Sequence, residues 1–223
     1  MSWWPFDNKT PNQQPFVKDY LTKVNVSIPE IRSLDQLSFV VLDTETTGLN
    51  PSVDHILSFG AVKIEDQMIQ ISTGVEWYLK SSKKDFKTIP VHGLIGNEEA
   101  VPLEQFAKRV LEYFENNILV GHHLGFDLEM LEKALKPFGL DKIQNKCIDT
   151  MSLAIRLDHG LMADRNYIDF KDYSLDSLCQ RYDIKTDDRH TAGGDAFLTA
   201  NLLLKLLKAA QKKGIMNWGT LRK

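Results

Sequence analysis

The sequence predicts an α/β fold: a mixed five-stranded sheet flanked by helices. Three observations carry this. A continuous apolar run, Phe39-Val40-Val41-Leu42, ends in Asp43 and reads as a buried central strand. The next two strand patterns are joined by short connections, as in an antiparallel meander. Beyond residue 100, short strands alternate with helical periodicity.

Taken in order, residues 1–34 form an arm with three prolines before Ile28 and weak periodicity. Its Trp3, Trp4, Phe6 and Phe16 suit either packing across a domain surface or docking onto a partner. After the first strand, Thr46-Thr47-Gly48-Leu49-Asn50-Pro51 is turn chemistry. Ile56–Ile64 and Met68–Leu79 are the next strands, joined by Glu65-Asp66-Gln67. A Lys-rich loop follows over 81–87. Asn97-Glu98-Glu99 reads as a helix start, with Leu103, Phe106, Val110 and Phe114 at helical spacing behind it. Ile118–Gly121 is a short buried strand. Asp127 opens a helix with Leu128, Leu131 and Leu135 on one face, ended by Pro137 and Gly139. Cys147-Ile148-Asp149 is the last strand, and Ser174–Tyr182 and Thr191–Ala210 are helices.

The 223 residues suffice for one domain with a full core. Lys and Arg number 27 against 30 Asp and Glu, a net charge of −3. That balance excludes a protein that holds nucleic acid by bulk positive charge alone. It leaves open an enzyme that meets nucleic acid through metal ions. The charge is uneven: six basic and no acidic residues lie from Asn201 to Lys223. Two cysteines, Cys147 and Cys179, exclude a disulfide framework and match no zinc spacing. No signal-peptide pattern and no spanning apolar stretch is present, so a cytoplasmic location and no membrane partner are expected.

The chemistry concentrates in three places. Asp43-Thr44-Glu45 ends the first strand, and a period of two puts both carboxylates on one side with Thr44 opposite. Adjacent buried acids repel unless a cation neutralises them, and Mg²⁺ or Mn²⁺ prefers such oxygen ligands. Asp127 follows Gly121-His122-His123-Leu124-Gly125-Phe126 at a strand–loop–helix joint. It suits an N-cap or a third acid at the site mouth. His190 and Asp195 flank Thr191-Ala192-Gly193-Gly194. Two early glycines weaken a helix, so either close backbone packing or access to a substrate or metal must compensate.

Together these motifs resemble the DEDDh exonucleases. The fuller match is Val-Leu-Asp-Thr-Glu-Thr-Thr-Gly-Leu (41–49), Ile-Leu-Ser-Phe-Gly-Ala-Val (56–62), Val-His-Gly-Leu (91–94), Val-Gly-His-His-Leu-Gly-Phe-Asp (120–127) and His-Thr-Ala-Gly-Gly-Asp-Ala (190–196). It is similar to the proofreading (epsilon) subunit of bacterial DNA polymerase III and its relatives, over roughly residues 36–210.

The resemblance implies a ribonuclease H-like fold and 3′→5′ removal of nucleotides from single-stranded 3′ ends. It divides the chain into an arm (1–34), an exonuclease domain (35–213) and a basic tail (214–223). It assigns two Mg²⁺ or Mn²⁺ ions to Asp43, Glu45, Asp127 and Asp195, and the general base to His190. It makes Thr44, Thr46, Leu49, His92, His122 and Phe126 substrate contacts; ordinary core packing is the alternative for Leu49 and Phe126. His123 stands where many relatives carry Asn. The implied role is DNA proofreading or repair, with a DNA polymerase or another replication or repair protein as partner. RNA trimming is the alternative substrate class, and a silent partner-binding module the alternative of another kind. Lys205, Lys208, Lys212 and Lys213 suit a solvated helix end or phosphate contacts, with Arg156 and Arg165 as other backbone contacts.

Overall fold

The computed structural model describes residues 12–80, 100–162, 164–187 and 189–223. Five strands form one sheet: β1 (Phe39–Thr46), β2 (Ile56–Glu65), β3 (Met68–Tyr78), β4 (Ile118–Gly121) and β5 (Cys147–Asp149). Their order is β3-β2-β1-β4-β5. The β1–β2 and β2–β3 pairs are antiparallel, while β1–β4 and β4–β5 are parallel. This is the expected mixed sheet, with the meander on one side and the crossover strands on the other.

The sheet is buried on both faces, and the alternation along β1 sorts the two cores. Phe39 and Val41 face a core shared with α4 (Thr150–His159), α5 (Leu175–Arg181), α6 (Ala192–Lys212) and α7 (Trp218–Leu221). Val40 and Leu42 face a second core with α1 (Pro15–Val24), α2 (Leu103–Phe114) and α3 (Leu124–Leu135). The continuous apolar run of β1 follows from this, since neither face meets water.

Within residues 1–34, α1 buries Val17, Tyr20 and Val24 against the second core. Tyr20 is buried to 1% exposure and donates its hydroxyl to Asn145 Oδ1 at 2.7 Å. Trp3, Trp4 and Phe6 lie outside the described residues. So do the Lys-rich loop, the Asn97-Glu98-Glu99 start and His92. The helix expected behind that start begins only at Leu103, a correction with a clear cause. Val101 is still extended, exchanging backbone hydrogen bonds with Tyr78 and Lys80, and Pro102 takes the N-cap. Within residues 214–223, Trp218 and Leu221 are buried. Arg156 donates both guanidinium arms to the carbonyls of Thr220 and Leu221, so it clamps this segment and is not available to a nucleic-acid backbone.

No helix among the described residues is long and apolar enough to cross a membrane.

Candidate active site

The site grows from the C-terminal end of β1. Asp43 and Glu45 project from the face that meets α6, two residues beyond Val41 along the same alternation. A register shift between Glu45 and Thr46 in the pairing with β2 ends the strand there. Opposite Asp43 in the ladder stands Gly60. A Cβ on Gly60 would lie 2.1 Å from the carbonyl carbon of Ala192 and 2.2 Å from the Gly193 nitrogen. Only a bare backbone lets the start of α6 rest directly on the sheet.

That contact delivers Asp195. Thr191 caps α6, its hydroxyl accepting from the Gly194 N–H at 2.9 Å. Asp195 follows on the first turn and is buried. Asp43, Glu45 and Asp195 each place a carboxylate oxygen within 4.8 Å of the others. At Gly193 a Cβ would come 2.8 Å from Glu76 Oε2, the movable end of a flexible side chain.

Asp127 reaches the cluster from the other layer. It sits in the first turn of α3, whose N-cap is His123 in a left-handed conformation at φ 63°. Asp127 is therefore not the cap. Its Oδ1 accepts from the Thr44 hydroxyl at 2.6 Å and from the Thr44 N–H at 2.9 Å. Asp149, at the end of β5, secures this corner by accepting from Leu124 N–H and Ser152 N–H.

The electrostatics are those of acids gathered with a single guanidinium, Arg189, against them. Burial, then the charges of Asp127, Asp195 and Glu45, push the Asp43 carboxyl well above its ordinary range. Burial also raises Asp127, against the hydrogen bonds from Thr44. Glu45 is raised by burial and by Asp195. This donor set of hard carboxylate oxygens fits a divalent cation such as Mg²⁺ or Mn²⁺, whose charge would relieve the repulsion.

The remaining expected residues fall into different settings. His190 is exposed at the lip of the cluster, at φ 68°, with its N–H 3.4 Å from Asp195 Oδ1. Thr46 donates its hydroxyl to the Gly48 carbonyl. Leu49 is 86% exposed, so core packing does not hold it. Phe126 is half-buried against the second core. His122 turns inward: Nδ1 is 2.9 Å from the Thr150 hydroxyl, and Nε2 is sealed from solvent without a partner. Burial lowers its pKa to about 4. That setting supports the β4–α3 joint and leaves His122 no open ring nitrogen for a strand.

Arg189 escaped the sequence reading. Its Nη1 lies 2.5 Å from Asp195 Oδ1, and its Nε lies 2.7 Å from Asp176 Oδ1. Position immediately before His190 was the available signal.

Fold and clustered acids together define the class: an α/β nuclease. The RNase_T family model, described as Exonuclease, matches residues 40–203, and the chain belongs to that family. It is 33% identical over 187 residues to the PolC-type DNA polymerase III of Thermotoga petrophila, covering 82% of this chain and 13% of the relative. The Bacillus subtilis PolC-type polymerase is 32% identical over 188 residues, covering 82% and 12%. The chain thus spans only about an eighth of the length of these relatives. Among solved structures, E. coli exonuclease I in complex with a dT13 oligonucleotide superposes with a TM-score of 0.61 at 17% identity, over 80% of this chain and 43% of that one. A product-bound exonuclease I gives 0.61 at 18%, over 80% and 45%. The ribonuclease H-like sheet expected from the sequence is the observed fold.

Proposed function

We propose that this exonuclease domain is of the DEDDh type and removes nucleotides from the 3′ ends of single-stranded DNA, in proofreading or repair. The observation that carries this is the convergence of Asp43, Glu45 and Asp195 oxygens within 4.8 Å, with Asp127 held beside them by Thr44. Kinship with PolC-type polymerases supports DNA over RNA and a polymerase or other replication or repair protein as partner.

In this reading Asp43, Glu45, Asp127 and Asp195 hold two Mg²⁺ or Mn²⁺ ions. The ions, when bound, activate water and offset charge on the phosphate. His190 takes the proton of the attacking water at a ring nitrogen. The water oxygen bonds to phosphorus as the P–O3′ bond breaks, releasing a nucleoside 5′-monophosphate, and the freed 3′ oxygen of the shortened strand takes up a proton from solvent to become its new 3′ hydroxyl. His190 suits this role because it stands exposed beside the acids, its backbone N–H 3.4 Å from Asp195 Oδ1. Thr44 orients Asp127, and Leu49 meets the terminal base.

The test is degradation of 5′-labelled single strands with Mg²⁺ or Mn²⁺, using DNA and RNA of one sequence. A ladder shortening from the 3′ end, lost in Asp43→Ala, supports the assignment. Equal cleavage by wild type and Asp43→Ala sinks it, and preference for RNA overturns the substrate.

A further inference from the structure

Arg189 is gripped from two helices. Its Nε and Nη2 donate to Asp176 Oδ1 and Oδ2 at 2.7 and 3.3 Å, and its Nη1 reaches Asp195 Oδ1. Asp176 lies in the first turn of α5 and Asp195 in the first turn of α6. A forked pair of this kind fixes orientation as well as distance, which a lysine could not do. The hydrogen bond from Arg189 holds the Asp176 carboxyl below its ordinary range.

The next residue is the one that needs holding. His190 adopts φ 68°, a left-handed conformation that is strained for a residue other than glycine. Such a conformation persists where its surroundings over-determine it. On its C-terminal side the Thr191 cap fixes the chain. On its N-terminal side the fixed point is the Arg189 fork.

We propose that Asp176 and Arg189 are a positioning pair that sets the His190 turn and the Asp195 carboxylate. This rests on the proposed role of His190 as base. Asp176 reaches the acid cluster through Arg189: its side chain is 64% exposed and its partner is the arginine. Were Arg189 only a counter-charge to Asp195, losing Asp176 would be silent.

The experiment pairs hydrogen exchange with steady-state kinetics on Asp176→Asn, Arg189→Gln, the double variant and Asp176→Glu, all in the full chain. Amide exchange at residues 190–194 is expected to rise about tenfold in Asp176→Asn, with the sheet amides unchanged. kcat falls about tenfold while KM for a single-stranded oligonucleotide stays within about twofold. The double variant is no worse than Arg189→Gln alone, as for groups acting as one unit. Asp176→Glu recovers most of the loss. Wild-type exchange, or wild-type kcat, in Asp176→Asn overturns the pair. If the wild type cleaves nothing yet Asp176→Asn still loosens 190–194, the nuclease reading fails and the clamp on the turn stands.

Discussion

Thr44 and Asp127 are joined twice through one oxygen: the hydroxyl and the N–H of Thr44 both donate to Asp127 Oδ1, at 2.6 and 2.9 Å. The link lies on the α3 side of the sheet. Thr44 points away from Asp43 and Glu45, toward the layer that holds α3. One strand therefore supplies two acids on one face and the fastening of a third from the other. After burial, the charge of Asp127 is the largest influence on Asp43, so the orientation Thr44 imposes is felt across the cluster.

Replacing Thr44 with valine keeps the shape and the N–H but deletes the hydroxyl donor. Thr44→Val is expected to lower kcat about tenfold with KM within about twofold. Unfolding free energy should fall by about 1 kcal/mol, the worth of one hydrogen bond. Steady-state kinetics and urea denaturation check both. A rise in KM at constant kcat would instead make Thr44 a substrate contact.

Gly60 carries the second relationship on which the site depends. No side chain fits between β2 and the Ala192–Gly193 backbone. Gly60→Ala should push the start of α6, and Asp195 with it, away from Asp43. A loss of about 3 kcal/mol is expected, at the upper end of overpacking costs. Denaturation reads that loss. Calorimetric titration with Mn²⁺ reads the scattered acids, as at least a tenfold weakening expected from a broken ligand set.

Much of this was legible in the sequence because its signals are local. The apolar run at 39–42 required a strand buried on both sides, and period two placed Asp43 and Glu45 together. What escaped depends on packing between distant elements. Arg189 and Asp176 meet only because α5 lies against α6, and nothing across a separation of 13 in sequence announces it. In α3 the expected stripe of Leu128, Leu131 and Leu135 was partly displaced: Leu124, Met130, Leu131 and Leu135 are buried, and Leu128 is only half-covered. The helix begins three residues before Asp127, which turns the stripe. The α1 pattern of Val17, Tyr20 and Val24 was short and set among polar residues, so its burial came from tertiary contacts rather than propensity.

Tyr20 makes a pH prediction. Its hydroxyl donates to Asn145 and accepts from the Gln144 N–H at 2.8 Å, and burial pushes its pKa from 10.0 up to about 12. The folded-state pKa is the higher one. The associated stability is therefore complete below pH 10 and is lost as pH rises from 10 to 12. Two units correspond to about 2–3 kcal/mol. Stability of the wild type relative to Tyr20→Phe should fall by about that amount across this window. A constant difference would show that ionisation of Tyr20 is not linked to folding.

Leu49 is an apolar side chain on display, 86% exposed on a turn that is itself secured. Asp54 ties the turn by accepting from the Thr47 hydroxyl and the Asn50 N–H. Lys133 of α3 donates to the carbonyls of Pro51 and Asp54, both at 2.7 Å. Rigid presentation of an apolar group on the turn that follows β1 suits contact with the face of a terminal base, where such stacking is worth about 1–3 kcal/mol when an aromatic supplies it. Leu49→Ala should therefore raise KM for single-stranded DNA about tenfold and leave kcat within about twofold. Being exposed, it should change unfolding free energy by less than about 0.5 kcal/mol. Leu49→Phe, which keeps an apolar face there, should hold KM at or below the wild-type value. Unchanged KM in Leu49→Ala would remove Leu49 from the substrate contacts, and a large loss of stability would return it to the core.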